Sequence, residues 1–399
     1  MAQHKQKAGN SMENFQHMDA LLKRLTAERL PGIGCVMTKG QEVIYEGYYG
    51  YADIENRTPV DASTVFRIYS MTRLPIYTLC MLLYEQGLFL PDDPLSQYFP
   101  EYASMKKFVQ LNNGAGKIVP LQNPILVKHI LTMSMGLPYG NDPIATIPTE
   151  AAMYKMHQAL QEKGPFSLRE EIRAAAEVPV AFEPGTHWMY GFASELSAGL
   201  CEVLTGKEIE QALIDSLFAP LEMTSTGMRF FGDIPQRLSK FYVADENLHP
   251  VYAAPRMDEK HLHGKENLRG CPRIFSTPMD FAHLGMMLAN GGEFHGKRIM
   301  SGQTIDLMRP NQLSEQQLED FDGRVTMGYG YGYGVRTLMD KAKAGSNGSI
   351  GEFGWEGGSG PYFLVDPEKK FSLTVMYQRG GADLSEIHLK LRNTAYGCL

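Results

Sequence analysis

The 399-residue chain has no apolar run approaching the roughly 18 residues needed to cross a bilayer, so no membrane span is expected. Its five cysteines (Cys35, Cys80, Cys201, Cys271 and Cys398) are scattered, odd in number and free of any C-x-x-C pair. Neither a disulfide framework nor a zinc ribbon fits that pattern. Reduced thiols fit a cytoplasmic protein best. Positive charge is scarce, with 38 Lys and Arg against 45 Asp and Glu for a formal charge of −7, which argues against a nucleic-acid partner. No G-x-S-x-G elbow occurs, disfavouring an α/β-hydrolase, and no G-x-x-x-x-G-K-[ST] loop supports nucleotide chemistry. The stretch Met1–Ser11 lacks the apolar centre of a secretory signal and reads as a disordered leader or an appended remnant, with Met12 a candidate start. Internal repeats and low-complexity linkers are missing too.

What is present is ordinary for a globular chain with a large core: 43% hydrophobic and 21% charged residues. Residues 33–53 read as two strands about a Lys39-Gly40 turn. Val65 to Tyr69 leads into an apolar helix, Leu74 to Tyr84, that stops near Gly87. Helical patterns recur over Leu121–Leu137, Leu168–Glu177 and Ala193–Leu204. Ser276–Asn290, with a Ser cap and an early Pro, is a further helix. Beyond Met327 the segments Gly328–Val335, Gly360–Val365 and Phe371–Tyr377 read as strands joined by glycines. Strands at both ends with helices between suggest one sheet built from both termini and an inserted helical region.

The segment Phe66-Arg67-Ile68-Tyr69-Ser70-Met71-Thr72-Arg73 places a serine where a buried helix begins. Unpaired N–H groups and the positive end of the helix dipole there favour an oxygen that gains negative charge. The i+3 residue, Arg73, shares that face and should point toward the Ser70 oxygen. An N-capping serine and a surface arginine would look the same at this level. His261-Leu262-His263 offers a metal pair, but no third ligand is apparent nearby, so no metal and no cofactor are expected.

This segment resembles the S-x-x-K motif of the serine β-lactamase and penicillin-binding-protein superfamily, and more specifically the class C β-lactamase-like family VIII carboxylesterases. Four further segments resemble that family in order. Leu131-Thr132-Met133-Ser134-Met135-Gly136-Leu137 is similar to its "L-T-x-x-S-G-L" turn. Trp188-Met189-Tyr190-Gly191-Phe192 is similar to its tyrosine motif. Pro220 to Met228 (PLEMTSTGM) is similar to "P-L-G-M-T-x-T". Phe353-Gly354-Trp355-Glu356-Gly357-Gly358 is similar to the W-x-G form of the third motif.

The resemblance implies an α/β, β-lactamase-like fold: an antiparallel sheet from both chain ends, flanked by helices, with a mainly helical subdomain inserted. Residues 12–399 would be one domain, its α/β part 12–90 and 310–399 and its helical part 91–309. By the same resemblance Ser70 is the nucleophile, and Tyr190 the general base or proton relay. The backbone N–H groups of Ser70 and Gly358 form the oxyanion hole, while Trp355 and Gly357 line the substrate edge. Trp355 could equally be a core residue. The family lysine is replaced by Arg73, which cannot give up its proton to serve as a base. Pro75 lies one position later than usual, and Arg269-Gly270-Cys271-Pro272 replaces a glycine run.

The expected function is ester hydrolysis through an acyl-serine, or acyl transfer to another acceptor, on a small-molecule ester or acyl substrate. The alternatives are a β-lactamase or D-amino-acid-specific peptidase, and a binding protein disabled by Arg73. Trp355 offers no cation for a substrate carboxylate, and Glu352 and Glu356 flank it with negative charge, so neutral esters are the expected substrates.

Overall fold

The computed structural model describes residues 15–110, 116–253, 273–323 and 326–399. The leader Met1–Ser11, the His261 and His263 pair and the Arg269–Pro272 stretch lie outside the described residues. Strands β1 (Gly32–Lys39) and β2 (Glu42–Asp53) form the expected hairpin, extended by β3 (Thr58–Pro59). On its other edge β1 pairs antiparallel with Phe371–Tyr377, Cys35 lying opposite Val375. Outward from there follow Tyr362–Asp366, Phe353–Glu356, Arg336–Leu338 and Tyr329–Tyr331, completing an eight-stranded antiparallel sheet built from both chain ends.

The central strands are apolar on both faces because both are covered. Helix α1 (Gln16–Glu28) and the C-terminal helix Leu384–Gly397 cover one, where Leu21, Leu22, Ile387 and Leu391 pack with Ile33, Leu364, Leu373 and Val375. Pro278–Ala289 covers the other, Phe281 meeting Phe363 edge-on at 4.9 Å between ring centres. That helix belongs to the stretch 91–309 assigned to the helical part, yet it lies against the sheet. Its cap is Thr277, whose side chain accepts from the Asp280 N–H, and Ser276 sits instead in the short strand Phe275–Ser276.

The short strand β4 (Phe66–Arg67) leads through one 3-10 turn, Tyr69–Thr72, into α2 (Arg73–Glu85). Every α2 residue from Arg73 to Leu83 is buried, as befits a helix apolar on all sides. Gly87, at φ +73°, turns the chain just after its end. The inserted region contributes α3 (Val127–Leu131), α4 (Pro148–Glu162), α5 (Leu168–Ala175) and α6 (Ala193–Thr205), and α6 packs directly on α2. Of the helical pattern over Leu121–Leu137 only Val127–Leu131 is α-helix, since Met133 takes a left-handed φ of +57° and breaks it. Likewise only Tyr329–Tyr331 of Gly328–Val335 is strand, because the Gly332 N–H turns back to the Val335 carbonyl at 2.8 Å.

Candidate active site

Ser70 is set by a strained turn. β4 pairs with Phe275–Ser276, the Ile68 N–H donates to Ile274 O at 3.0 Å, and the Ile274 N–H donates to Thr72 Oγ1 at 3.1 Å. Between these ties Tyr69 adopts φ +48°, a left-handed backbone that costs a bulky residue on the order of 1–3 kcal/mol. The strain lifts Ser70, half-buried, onto the first turn before α2. Among the described residues its hydroxyl makes no hydrogen bond, so it is not an N-cap.

The strand Phe353–Glu356 packs on this turn. Beyond it the chain bends at Gly357 to Gly360, where the Gly357 N–H donates to Pro361 O at 2.7 Å and the Gly360 N–H to Gly357 O at 3.1 Å. A Cβ on Gly357 would lie 2.5 Å from the Ile68 carbonyl oxygen, so only glycine permits the turn to touch the Ser70 segment. Gly358 is exposed, and among the described residues its N–H has no acceptor. One buried side chain locks the two segments together. Gln378 Oε1 accepts from the Arg67 N–H at 2.8 Å, while Nε2 donates to Arg67 O at 3.2 Å and to Ser359 Oγ at 3.1 Å. Sequence reasoning passed over Gln378, which carries no motif and ends an apolar strand.

Tyr190 arrives from the helical side. The Met189 N–H donates to Met133 O at 2.8 Å and the Phe192 N–H to Leu137 O at 2.9 Å, so the Leu131–Leu137 segment seats the tyrosine loop ahead of α6. Trp355 Nε1 donates to Tyr190 Oη at 3.3 Å, and the two rings stack 5.7 Å apart at 21°. Trp355 is 5% exposed and also meets Tyr331 edge-on at 5.3 Å, so it is a packed aromatic as well as a donor to Tyr190.

Arg73 is not a surface charge; it is fully buried. Its guanidinium carbon lies 3.8 Å from the centre of the Tyr190 ring, and Nη2 donates to Tyr139 Oη. It therefore turns toward the two tyrosines and makes no hydrogen bond to the Ser70 oxygen. Tyr139, which meets Tyr190 edge-on at 5.8 Å, is a second residue that sequence reasoning missed. Its only signal was its place two residues after the Leu131–Leu137 motif.

The negative flank expected of Glu352 and Glu356 is not there. Glu352 is fully buried beneath the sheet edge with the hydroxyls of Tyr396 (3.3 Å) and Tyr329 (3.4 Å), and burial pushes its carboxyl up to about 7. Glu356 is neutralised by Arg336 of the adjacent strand at 2.6 Å. Among the described residues no cluster of His, Cys, Asp or Glu could hold a metal ion, and no helix is long and apolar enough to cross a membrane.

The β-lactamase family model fits residues 17–394, almost the whole chain. The chain belongs to the β-lactamase family. Protein Rv1367c of Mycobacterium tuberculosis is 26% identical over 362 residues, covering 88% of this chain and 86% of that protein. Esterase EstB of Burkholderia gladioli is 25% identical over 398 residues, 95% of this chain and 94% of its own. Among solved structures, EstCE1, described as a hydrolase with promiscuous acyltransferase activity, superposes with a TM-score of 0.80 at 21% identity, covering 97% of this chain and 100% of its own. The β-lactamase-like fold expected from the sequence is thus the one observed.

Proposed function

We propose that this β-lactamase family protein is a carboxylesterase-like serine hydrolase, with Ser70 the acyl acceptor and a neutral ester the substrate. The observation that carries the reading is the placement of the unengaged Ser70 hydroxyl on a strained turn that packs against the Trp355 strand. Ser70 Oγ attacks the ester carbonyl, its proton passing to Tyr190 Oη. The carbonyl oxygen, now negative, is received by the N–H groups of Ser70 and Gly358, donors worth about 10²–10³ in rate each. As the intermediate collapses, the alkoxide leaves with the proton from Tyr190, and water, an alcohol or an amine then takes the acyl group by the reverse sequence. Relatives described as an esterase and as a hydrolase with acyltransferase activity support this choice of chemistry.

Arg73 keeps its charge throughout, so the base is Tyr190 and not the residue at the lysine position. The Arg73 guanidinium lies over the Tyr190 ring, and the Trp355 N–H donates to its hydroxyl oxygen. Trp355 and Gly357 form the substrate edge, where the nearby cation Arg336 is taken up by Glu356 and so is not offered to a carboxylate. The family match along residues 17–394 supports one domain over 12–399. The buried free thiols of Cys35, Cys80, Cys201 and Cys398 support a cytoplasmic setting.

The test is turnover of p-nitrophenyl butyrate and of a chromogenic cephalosporin by the parent protein and by Ser70→Ala. Ester hydrolysis that vanishes in Ser70→Ala is the expected result. Equal behaviour of both proteins on every substrate would make this a binding protein.

A further inference from the structure

Arg73 poses a problem in physical chemistry. It is a fully buried cation, and among the described residues it forms no ion pair with a carboxylate. Two of its donors, Nε and Nη1, have no hydrogen-bond partner there. A buried charge is costly unless it is paired or reached by a chain of polarised hydrogen bonds. Such a chain exists. Arg73 Nη2 donates to Tyr139 Oη, Tyr139 Oη lies 3.4 Å from Ser194 Oγ, and Ser194 Oγ donates to Glu195 Oε2 at 2.8 Å. With the Tyr139 oxygen accepting from Arg73 and the Ser194 proton committed to Glu195, the Tyr139 hydroxyl proton is directed to Ser194. Every proton in the line then points from the cation toward the anion. Ser194 is fully buried and Glu195 is 1% exposed, so the line ends on a carboxylate sheltered like the arginine.

We propose that Tyr139, Ser194 and Glu195 are positioning residues that neutralise Arg73 and hold its guanidinium flat on the Tyr190 ring. A guanidinium is planar, and a bond to Tyr139 from one edge fixes which face it offers. The guanidinium carbon lies 3.8 Å from the Tyr190 ring centre. The carboxylate is supplied by the first turn of α6, which packs on α2, so the helix that follows Tyr190 also steadies the cation on the Ser70 helix. This arrangement replaces a titratable lysine by a fixed charge and moves the titrating role to Tyr190. It rests on the reading of Ser70 as nucleophile and Tyr190 as base.

The experiment measures kcat and KM for p-nitrophenyl butyrate in Tyr139→Phe, Glu195→Gln, Arg73→Met and the double variant Tyr139→Phe/Arg73→Met. Thermal melts and labelling of Ser70 by a fluorophosphonate accompany the kinetics. Tyr139→Phe and Glu195→Gln should each lower kcat at least tenfold with KM within about twofold, and Tyr139→Phe should cost nothing further once Arg73 is Met. An equal loss from Tyr139→Phe in both backgrounds, or a kcat equal to that of the parent, overturns the positioning role. Should Glu195→Gln fail to fold, Tyr139→Phe, which deletes one oxygen, still decides the matter. Failure of the parent protein to label at Ser70 overturns the nucleophile reading and this inference with it, whereas normal labelling with an unimpaired Tyr139→Phe overturns this inference alone.

Discussion

Gln378→Met should separate catalysis from mere folding at the Gly358 turn. The substitution keeps length and volume but removes the acceptor for the Arg67 N–H (2.8 Å) and the donors to Arg67 O (3.2 Å) and Ser359 Oγ (3.1 Å). The Ser359 hydroxyl can rotate to a new partner, but the two Arg67 backbone groups are fixed and buried. Leaving each unsatisfied costs about 1–3 kcal/mol, so a loss of roughly 2–6 kcal/mol is expected against a typical total of about 5–15 kcal/mol. The same bonds fix the spacing between the Ser70 turn and Gly358. A displacement of about 1 Å at such a site lowers rates on the order of a hundredfold. Urea denaturation measures the first effect and steady-state turnover of p-nitrophenyl butyrate, at a temperature where both proteins are folded, the second. The expected outcome is a lowered midpoint together with a kcat reduced about 10- to 100-fold at nearly constant KM. A destabilised variant with full kcat would refute the argument that Gln378 holds the Gly358 turn in register with Ser70.

Three further outcomes follow from the geometry. Arg73→Lys should lower kcat/KM, because an ammonium cannot offer the planar face that the guanidinium presents to Tyr190, and Arg73→Ala should lower it further, by about 10²–10⁴, through the loss of general-base assistance at Tyr190; a large rise in the lysine variant would show that the position wants a titrating base. Neutral p-nitrophenyl esters should be turned over faster than penicillins, and Trp355→Lys should shift the kcat/KM ratio toward carboxylated β-lactams while weakening ester hydrolysis through loss of the bond to Tyr190; faster penicillin turnover by the parent protein would refute this. Burial holds the His388 imidazole down at about 4, so the stability it contributes is present above its usual value near 6.5 and disappears as pH falls through about 4. The loss is about 3 kcal/mol, which the difference in urea stability between parent and His388→Gln across that window should reveal.

The sheet was legible where its chemistry is local. Two strand-like stretches about a Lys39-Gly40 turn marked β1 and β2, and the run Phe371–Tyr377 marked the other neighbour of β1. The pairing of β1 with a strand more than 330 residues later was not local information; it came from the resemblance. Helices α1, α4 and Leu384–Gly397 carried no motif and were passed over. For the C-terminal helix the reason is physical: its buried face mixes Ile387, Leu391 and Ala395 with His388 and Arg392, a stripe too polar to stand out until Tyr377 and Tyr329 are seen to partner the last two.

The site divides along a similar line. Ser70, Arg73, Tyr190, Trp355, Gly357 and Gly358 were all named from motifs, because a motif is a run of immediate neighbours in sequence. What the motifs did not reveal is what holds those segments to one another. Gln378 and Tyr139 act across hundreds and tens of residues respectively, through hydrogen bonds that exist only once the chain has folded. The same gap explains the charge error at Trp355. Reading along the strand placed Glu352 and Glu356 beside the tryptophan, but the cation that answers Glu356 is Arg336, on the neighbouring strand. In a sheet the electrostatic partner of a residue can lie across the ladder, on the neighbouring strand. A motif therefore names candidate groups, while charge and orientation around them follow from the register of strands that the motif does not contain.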